Sequence, residues 1–565
     1  MLTVIGSWII IFAAASIIGF STLQVIGKKI EVCKQLDVIL VMGLMIITVY
    51  AQCFSIFYKV GLKACFYLFI FGMVAFFIIL RKKKTDFKIL VRYISSISKK
   101  NWIFFILCVV FTALWTAKTP VHYDTYLYHA QAIRWIEEYG CVRGLGNFHN
   151  RIAYNSAFMP LQALFSLKWL TGQSLHTMNG FLCCFFLYYS VATNHILSKN
   201  KMKLSDFFKV AVIIYIYLNR VLMSSPCSDF LPLLLVLYIS IKWSELVEQE
   251  IEDQRAYLLI GLIGIWAVTV KLSTAPCIFL IFFPLFIVFK RKRWKWLLLF
   301  CGLSLLITLP WLVRNVIISG YLVYPYGQID LFPVDWKMPI SVLKCDYAEI
   351  MAWGRELKDV ALFDKPFRSW LPIWFEAQEI GYQFLIIIGT LSACAVAGVV
   401  MYRMIKARGR KYVVLEISVL LGLASWLFSA PLMRYGCVYL IQPVCLVLFY
   451  ILGLWKKAEK CIRIILCTFI TLCFMFFLRG YGHIDGELVL IQKEYEWRET
   501  QEIEWNGIKV YVPTEGDQCG YEAFPGTPYL KLLDLIELRG NTIKEGFRPS
   551  EYYFESELNN SGREW

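Results

Sequence analysis

The sequence predicts an all-α polytopic membrane protein of about 14 transmembrane helices, closed by a small mixed α/β domain. Three observations carry this. Of 565 residues, 58% are hydrophobic and 17% charged, with a mean hydropathy of +0.59; soluble domains carry about 25% charged residues. Apolar runs of roughly 17–25 residues recur, long enough to cross the hydrocarbon core as helix, and the alternation a spanning strand needs is missing. Most cations sit in short clusters between those runs: "GKKIEVCK", "RKKK", "SKNKMK", "FKRKRWK", "RMIKARGRK" and "WKKAEK". That is the positive-inside pattern, and it accounts for the formal charge of +16 without any nucleic acid.

Placing each basic cluster in the cytoplasm orders the elements. The opening run "TVIGSWIIIFAAASIIGF" has no basic residues before it, so it reads as a span over 4–24 and not as a cleaved signal peptide. Spans over 37–56 and 61–80 lead into "RKKK" and a basic cytoplasmic linker, making 1–100 an additional N-terminal unit. A span over 101–117 delivers "TPVHYDTYLYH" to the outer side, where an amphipathic stretch occupies 118–172. Spans follow over 175–195, 205–222, 229–244, 256–271, 274–290 and 296–313, then an external segment, 314–380. The pairs 383–403 with 413–430 and 435–454 with 461–478 complete a membrane module over 101–478. In the tail, 479–565, Asn-Gly and Pro-Gly turn pairs separate short β-prone runs, which suits a mixed extracytoplasmic domain. The 18 cysteines are scattered, many within apolar runs, and read as small core residues without a disulfide framework.

Polar groups converge on the outer face. Asp124 follows a span directly; in a helix Tyr128 shares its face and His129 lies beside it. Such an aspartate is either a general base or electrostatic stabiliser, or a helix cap and partner for Arg134. The loop "GLGNFHNRIAYNS" brings Asn147, His149, Arg151 and Asn155 among glycines, either for hydroxyl or phosphate recognition or as an ordinary turn-rich loop. Lys271 ends a span, on the side where Ser224, Ser225 and Asp229 emerge. A lysine at that depth is paired, functional or snorkelling. Arg314 and Arg434 break the positive-inside trend on the same face, and with Lys271 they form an anion-binding set suited to phosphate oxygens. His122-x-Asp124 offers two ligands, too few to define a metal site, so none is assigned. A serine nucleophile elbow and a Walker loop are both missing from the sequence.

An acidic residue just after a span, opening an external loop with an amphipathic helix, resembles the first loop of GT-C fold glycosyltransferases. "PWLVRNVIISGYLVYP" is similar to a segment of protein mannosyltransferases and aminoarabinose transferases. The series "YDTYLYH", "GLGNFHNRIAYNS", "SDFLP", "TVKLSTAP", "PWLVRN", "APLMRYG" and "GFRP" more closely resembles a poorly characterised bacterial membrane-protein family of that superfamily, the LIC_10190 type. The resemblance spans most of 100–550 and implies a polyprenyl-phosphate-sugar donor within the membrane lipids of a bacterial cytoplasmic membrane. The acceptor (glycan, lipid or protein) would be reached from outside. Asp124 matches the catalytic acidic residue, and Lys271, Arg314 and Arg434 match positions for the leaving lipid phosphate. Tyr123, Tyr128, His129, His149, Arg151, Asn155 and Asp229 are the expected substrate-binding residues. One Asp stands where several members carry Asp-Glu or Asp-x-Asp, so no cofactor is assigned and a divalent metal stays open. A polysaccharide polymerase or ligase, or a flippase of envelope glycan assembly, is the alternative, since these also use lipid-linked substrates.

Overall fold

A computed structural model describes residues 1–27, 30–82, 98–196, 201–406, 409–455, 457–479, 486–528 and 530–551. Parts of the expected cytoplasmic clusters (28–29, 83–97, 197–200, 407–408 and 456) and of the tail (480–485, 529 and 552–565) lie outside the described residues.

Helices stand at every expected span, and among the described residues ten have the length and hydropathy of a full crossing. These are Leu2–Ile26, Leu36–Phe57, Leu62–Ile79, Lys99–Thr116, Phe230–Glu248, Leu272–Lys290, Trp294–Ser319, Ile380–Ile405, Lys411–Phe428 and Met433–Leu454. Met178–Ala192 and Leu204–Leu218 have 15 residues each and Gln254–Val270 has 17. At 1.5 Å rise per residue the two 15-residue helices reach only about 22 Å, short of a hydrocarbon core of about 30 Å, and Gln254–Val270 is at the lower limit of a crossing. Ala458–Arg479 is the fourth helix at an expected span outside those ten.

Helix ends follow local chemistry. Ser98 and Asp253 cap their helices by accepting from Asn101 N at 3.2 Å and Arg255 N at 3.1 Å. Gly320, at φ 84°, closes Trp294–Ser319 in the left-handed conformation. That helix runs past the expected boundary at 313, so Arg314 lies inside its last turns and not beyond the span. Gly19 and Gly43 bring the first two helices into backbone contact: a Cβ on either would sit 1.9–2.0 Å from the carbonyl oxygen of Ile39 or Ala15.

Phe230–Glu248 is buried nearly all round and forms the centre of the bundle. Trp294–Ser319 and Ile380–Ile405 leave Leu298, Leu305, Phe384 and Leu391 exposed and form part of its perimeter. Two polar clusters mark opposite ends of the central helix. At its C-terminal end Lys242 pairs with Asp37 at 3.0 Å and Glu245 at 2.7 Å, and Lys209 pairs with Glu245 at 2.9 Å. All eighteen cysteines are free thiols, most of them buried.

The tail forms two small antiparallel sheets, Thr500–Trp505 with Ile508–Pro513 and Ile536–Leu538 with Phe547–Pro549. The first hairpin turns on Asn506-Gly507, both at positive φ. The tail packs on the amphipathic helix Ala130–Glu138. Gln131 Nε2 donates to Gly520 O and Ala523 O, each at 2.8 Å, and its Oε1 accepts from Gly526 N at 3.1 Å. Arg134 donates to Tyr521 O and Glu522 O, and Phe547 packs against Trp135 and Phe148.

Candidate functional site

Four stretches of chain meet at the N-terminal end of the central helix. Residues 122–129 follow helix Lys99–Thr116, and residues 227–229 precede Phe230. Lys271 sits in extended backbone between Val270 and Leu272, and Arg434 and Tyr435 open helix Met433–Leu454. Every one of these is a helix terminus or a break, where backbone geometry leaves side chains free to converge.

Thr125–His129 forms a π-turn, in which the Ala130 N–H bonds to Thr125 O. The simple α-helical spacing expected here is therefore replaced. His129 is fully buried with its ring 4.2 Å from that of Tyr128 and 6.0 Å from that of His122.

Arg434 is the hub. It lies 3.0 Å from Asp124 Oδ2 and 3.8 Å from Asp229 Oδ2, and it donates to His122 Nε2 and Tyr435 Oη, both at 3.0 Å. Lys271 pairs with Asp229 and stands 3.4 Å from the centroid of the Tyr435 ring. Two acids and two bases make the network formally neutral. Burial alone would raise the Asp229 carboxyl; Lys271 and Arg434 overcome it and hold it down at about 2. Burial pushes His129 down to about 3, against the upward pull of Asp124, so its ring is neutral. Asp124 remains 13% exposed and Arg434 32%, which leaves the network reachable from solution.

The other expected residues are placed elsewhere. Arg314 is buried and donates to Asn155 Oδ1 at 3.0 Å and Ser55 Oγ at 2.5 Å. Among the described residues no hydrogen bond or ion pair joins it to Arg434 or Lys271, and it has no acidic partner. It lines a small, partly open cavity of about 30 Å³ with Tyr128, Arg151, Tyr154 and Ser228, room for one or two waters. The donors of loop 144–156 are engaged inside the protein. Arg151 pairs with Asp346 and Glu349, His149 Nε2 meets Leu127 O at 3.0 Å, and Asn155 Nδ2 donates to Asn315 Oδ1 at 2.8 Å. The loop is packed beneath helix Ile340–Gly354, so its polar groups need internal partners. Tyr123 is exposed and donates to Asp517 Oδ1 of the tail at 2.5 Å. Arg134, a rival partner for Asp124 on spacing alone, binds the tail instead.

Tyr435, Ser228 and Cys227 were not singled out by sequence. Tyr435 and Ser228 adjoin Arg434 and Asp229 in the chain, the one signal that could have found them; Cys227 looks like any other core cysteine.

Fold and site together define a multi-pass α-helical membrane protein with an ion network gathered at one end of its bundle. The chain belongs to the family described as Domain of unknown function (DUF8201), whose model matches residues 1–441. That match takes in Asp124, Asp229, Lys271 and Arg434 and stops short of the tail. No curated protein and no solved structure matches the chain.

Proposed function

We propose that this protein is a GT-C type membrane glycosyltransferase. It moves a sugar from a polyprenyl-phosphate donor to a glycan, lipid or protein acceptor on the extracytoplasmic face, with Asp124 as catalytic base. One observation carries the reading: Asp124 and Asp229 share a partly exposed network with Arg434 and Lys271, at helix ends where a lipid-linked donor and a water-borne acceptor can meet. The orientation is supported by the antiparallel run from Lys271 through Leu272–Lys290. That run sends the basic turn 290–293 to the far end of the bundle, the cytoplasmic side by the positive-inside trend.

The network has a chemical logic for this transfer. The acceptor hydroxyl oxygen attacks the anomeric carbon, its proton passes to Asp124, and the bond from that carbon to the lipid phosphate oxygen breaks. Protonation removes the negative charge that faces Arg434 at 3.0 Å. Asp229 remains beside the guanidinium, and the network as a whole then carries one net positive charge at the moment the departing phosphate gains charge, so proton uptake and leaving-group stabilisation are coupled through Arg434.

The test uses membranes from cells expressing wild type or Asp124→Asn at equal levels, supplied with radiolabelled polyprenyl-phosphate hexose. Label passes to acceptor with wild type and drops by two orders of magnitude or more in the variant, roughly the range a general base supplies. Equal transfer by both overturns the assignment of Asp124.

A further inference from the structure

We infer that His122, His129 and Cys227 form a binding site for zinc(II) beside the ion network. One ring nitrogen of each histidine and the Cys227 sulfur lie within 4.8 Å of one another. Cys227 and His129 are fully buried. The Nδ1 atoms of both His122 and His129 are shielded from solvent and have no hydrogen-bond partner. A buried polar nitrogen without a partner costs about 1–3 kcal/mol, and two of them on the two histidines of one His-His-Cys cluster are better explained by a missing ligand than by packing.

The donor set selects the metal. Two imidazoles and a thiolate suit zinc and disfavour magnesium or calcium, which take oxygen ligands. Zinc bonds of about 2.0–2.1 Å to nitrogen and 2.3 Å to sulfur set tetrahedral ligand atoms roughly 3.5 Å apart. The cluster closes around the ion with shifts on the order of 1 Å. Three protein ligands leave a fourth position open, as in zinc sites that bind water or substrate.

Charge and protons balance. Cys227 gives up its thiol proton to solvent, and the bound ion adds a net single positive charge next to Asp124 and Asp229. His122 now accepts a hydrogen bond from Arg434 at Nε2. With zinc on one nitrogen, a neutral ring carries its proton on the other and has no lone pair for Arg434. Zinc binding therefore opens the Arg434–His122 bond and leaves the guanidinium to its carboxylates. The site stands independently of glycosyl transfer.

The test is made on the full chain, purified in detergent through a tag that contains no histidine. Chelator-stripped protein is titrated with cobalt(II) as a zinc stand-in and read by absorbance. Wild type develops a thiolate-to-cobalt charge-transfer band that saturates at one ion per chain and is bleached by zinc. Cys227→Ser shows no such band, and His129→Gln binds roughly 100-fold more weakly, while both elute as wild type on size exclusion. A wild-type protein that develops no thiolate-to-cobalt band overturns the inference, as does equal zinc retention by wild type and Cys227→Ser. The wild-type spectrum keeps the test decisive even where a variant misfolds.

Discussion

Gln131 is the clasp between the tail and the helix that follows Asp124, and replacing it with leucine keeps the volume while removing every polar atom. Three hydrogen bonds vanish: those to Gly520 O and Ala523 O at 2.8 Å and that from Gly526 N at 3.1 Å. At about 1 kcal/mol net per bond the loss is about 3 kcal/mol, and it grows if the two carbonyls and the N–H stay buried without water. A change of about 3 kcal/mol raises the population of the undocked tail roughly 150-fold, at 1.4 kcal/mol per tenfold. Hydrogen exchange of the segment 508–528, followed by mass spectrometry on detergent-solubilised protein, reads that population directly. Exchange there accelerates by about two orders of magnitude, while the amides of helix Phe230–Glu248 keep their wild-type protection. Acceleration of less than threefold refutes the argument, because it means that the Arg134 and Tyr521 contacts alone hold the tail in place.

Two further predictions concern buried charge. Lys271→Met leaves Asp229, whose side chain is 7% exposed, without its closest cation and destabilises the protein by about 3–5 kcal/mol, seen as a lowered thermal midpoint in detergent. The double variant Lys271→Met with Asp229→Asn recovers most of that loss; a double variant no better than the single one contradicts the charge-pair explanation. Glu137 is raised above the ordinary glutamate value by burial, despite hydrogen bonds from Ser174 and Tyr521. Its native form holds a proton that the unfolded chain has already lost. Its contribution to stability is therefore full below the ordinary value and falls as pH rises through the raised one. Glu137→Gln removes that slope from the midpoint-versus-pH curve, and an unchanged slope means the carboxyl is not the source.

Much of the architecture is local and therefore readable. A run of about 20 apolar residues and a lysine cluster are each visible within one window, so a helix stands at each expected span. The short Met178–Ala192, Leu204–Leu218 and Gln254–Val270 show where that reasoning stops, since hydropathy marks an apolar helix without fixing whether it crosses alone. Asp124, Asp229, Lys271 and Arg434 stand out in the sequence because charge at a span end is costly, yet their pairing is not visible there. Cations that look free for phosphate are held by carboxylates far away in the chain. Arg314 looks like part of the same set, but its partners, Asn155 and Ser55, are neutral and lie in other segments. Arg151 resembles a ligand-binding donor until Asp346 and Glu349, nearly two hundred residues on, are brought to it.

The π-turn at Thr125–His129 divides one continuous stretch of chain into two rotational phases. Upstream, Asp124 is aimed at Arg434; downstream, Gln131 and Arg134 are aimed at the tail. Each residue turns an α-helix by about 100°, so removing one residue from the turn would re-index the upstream side chains by that angle while the downstream face stayed docked. The extra residue works as a phase shifter: Asp124 and Gln131, seven residues apart and on one face of a regular helix, are turned apart, one to Arg434 and the other to the tail.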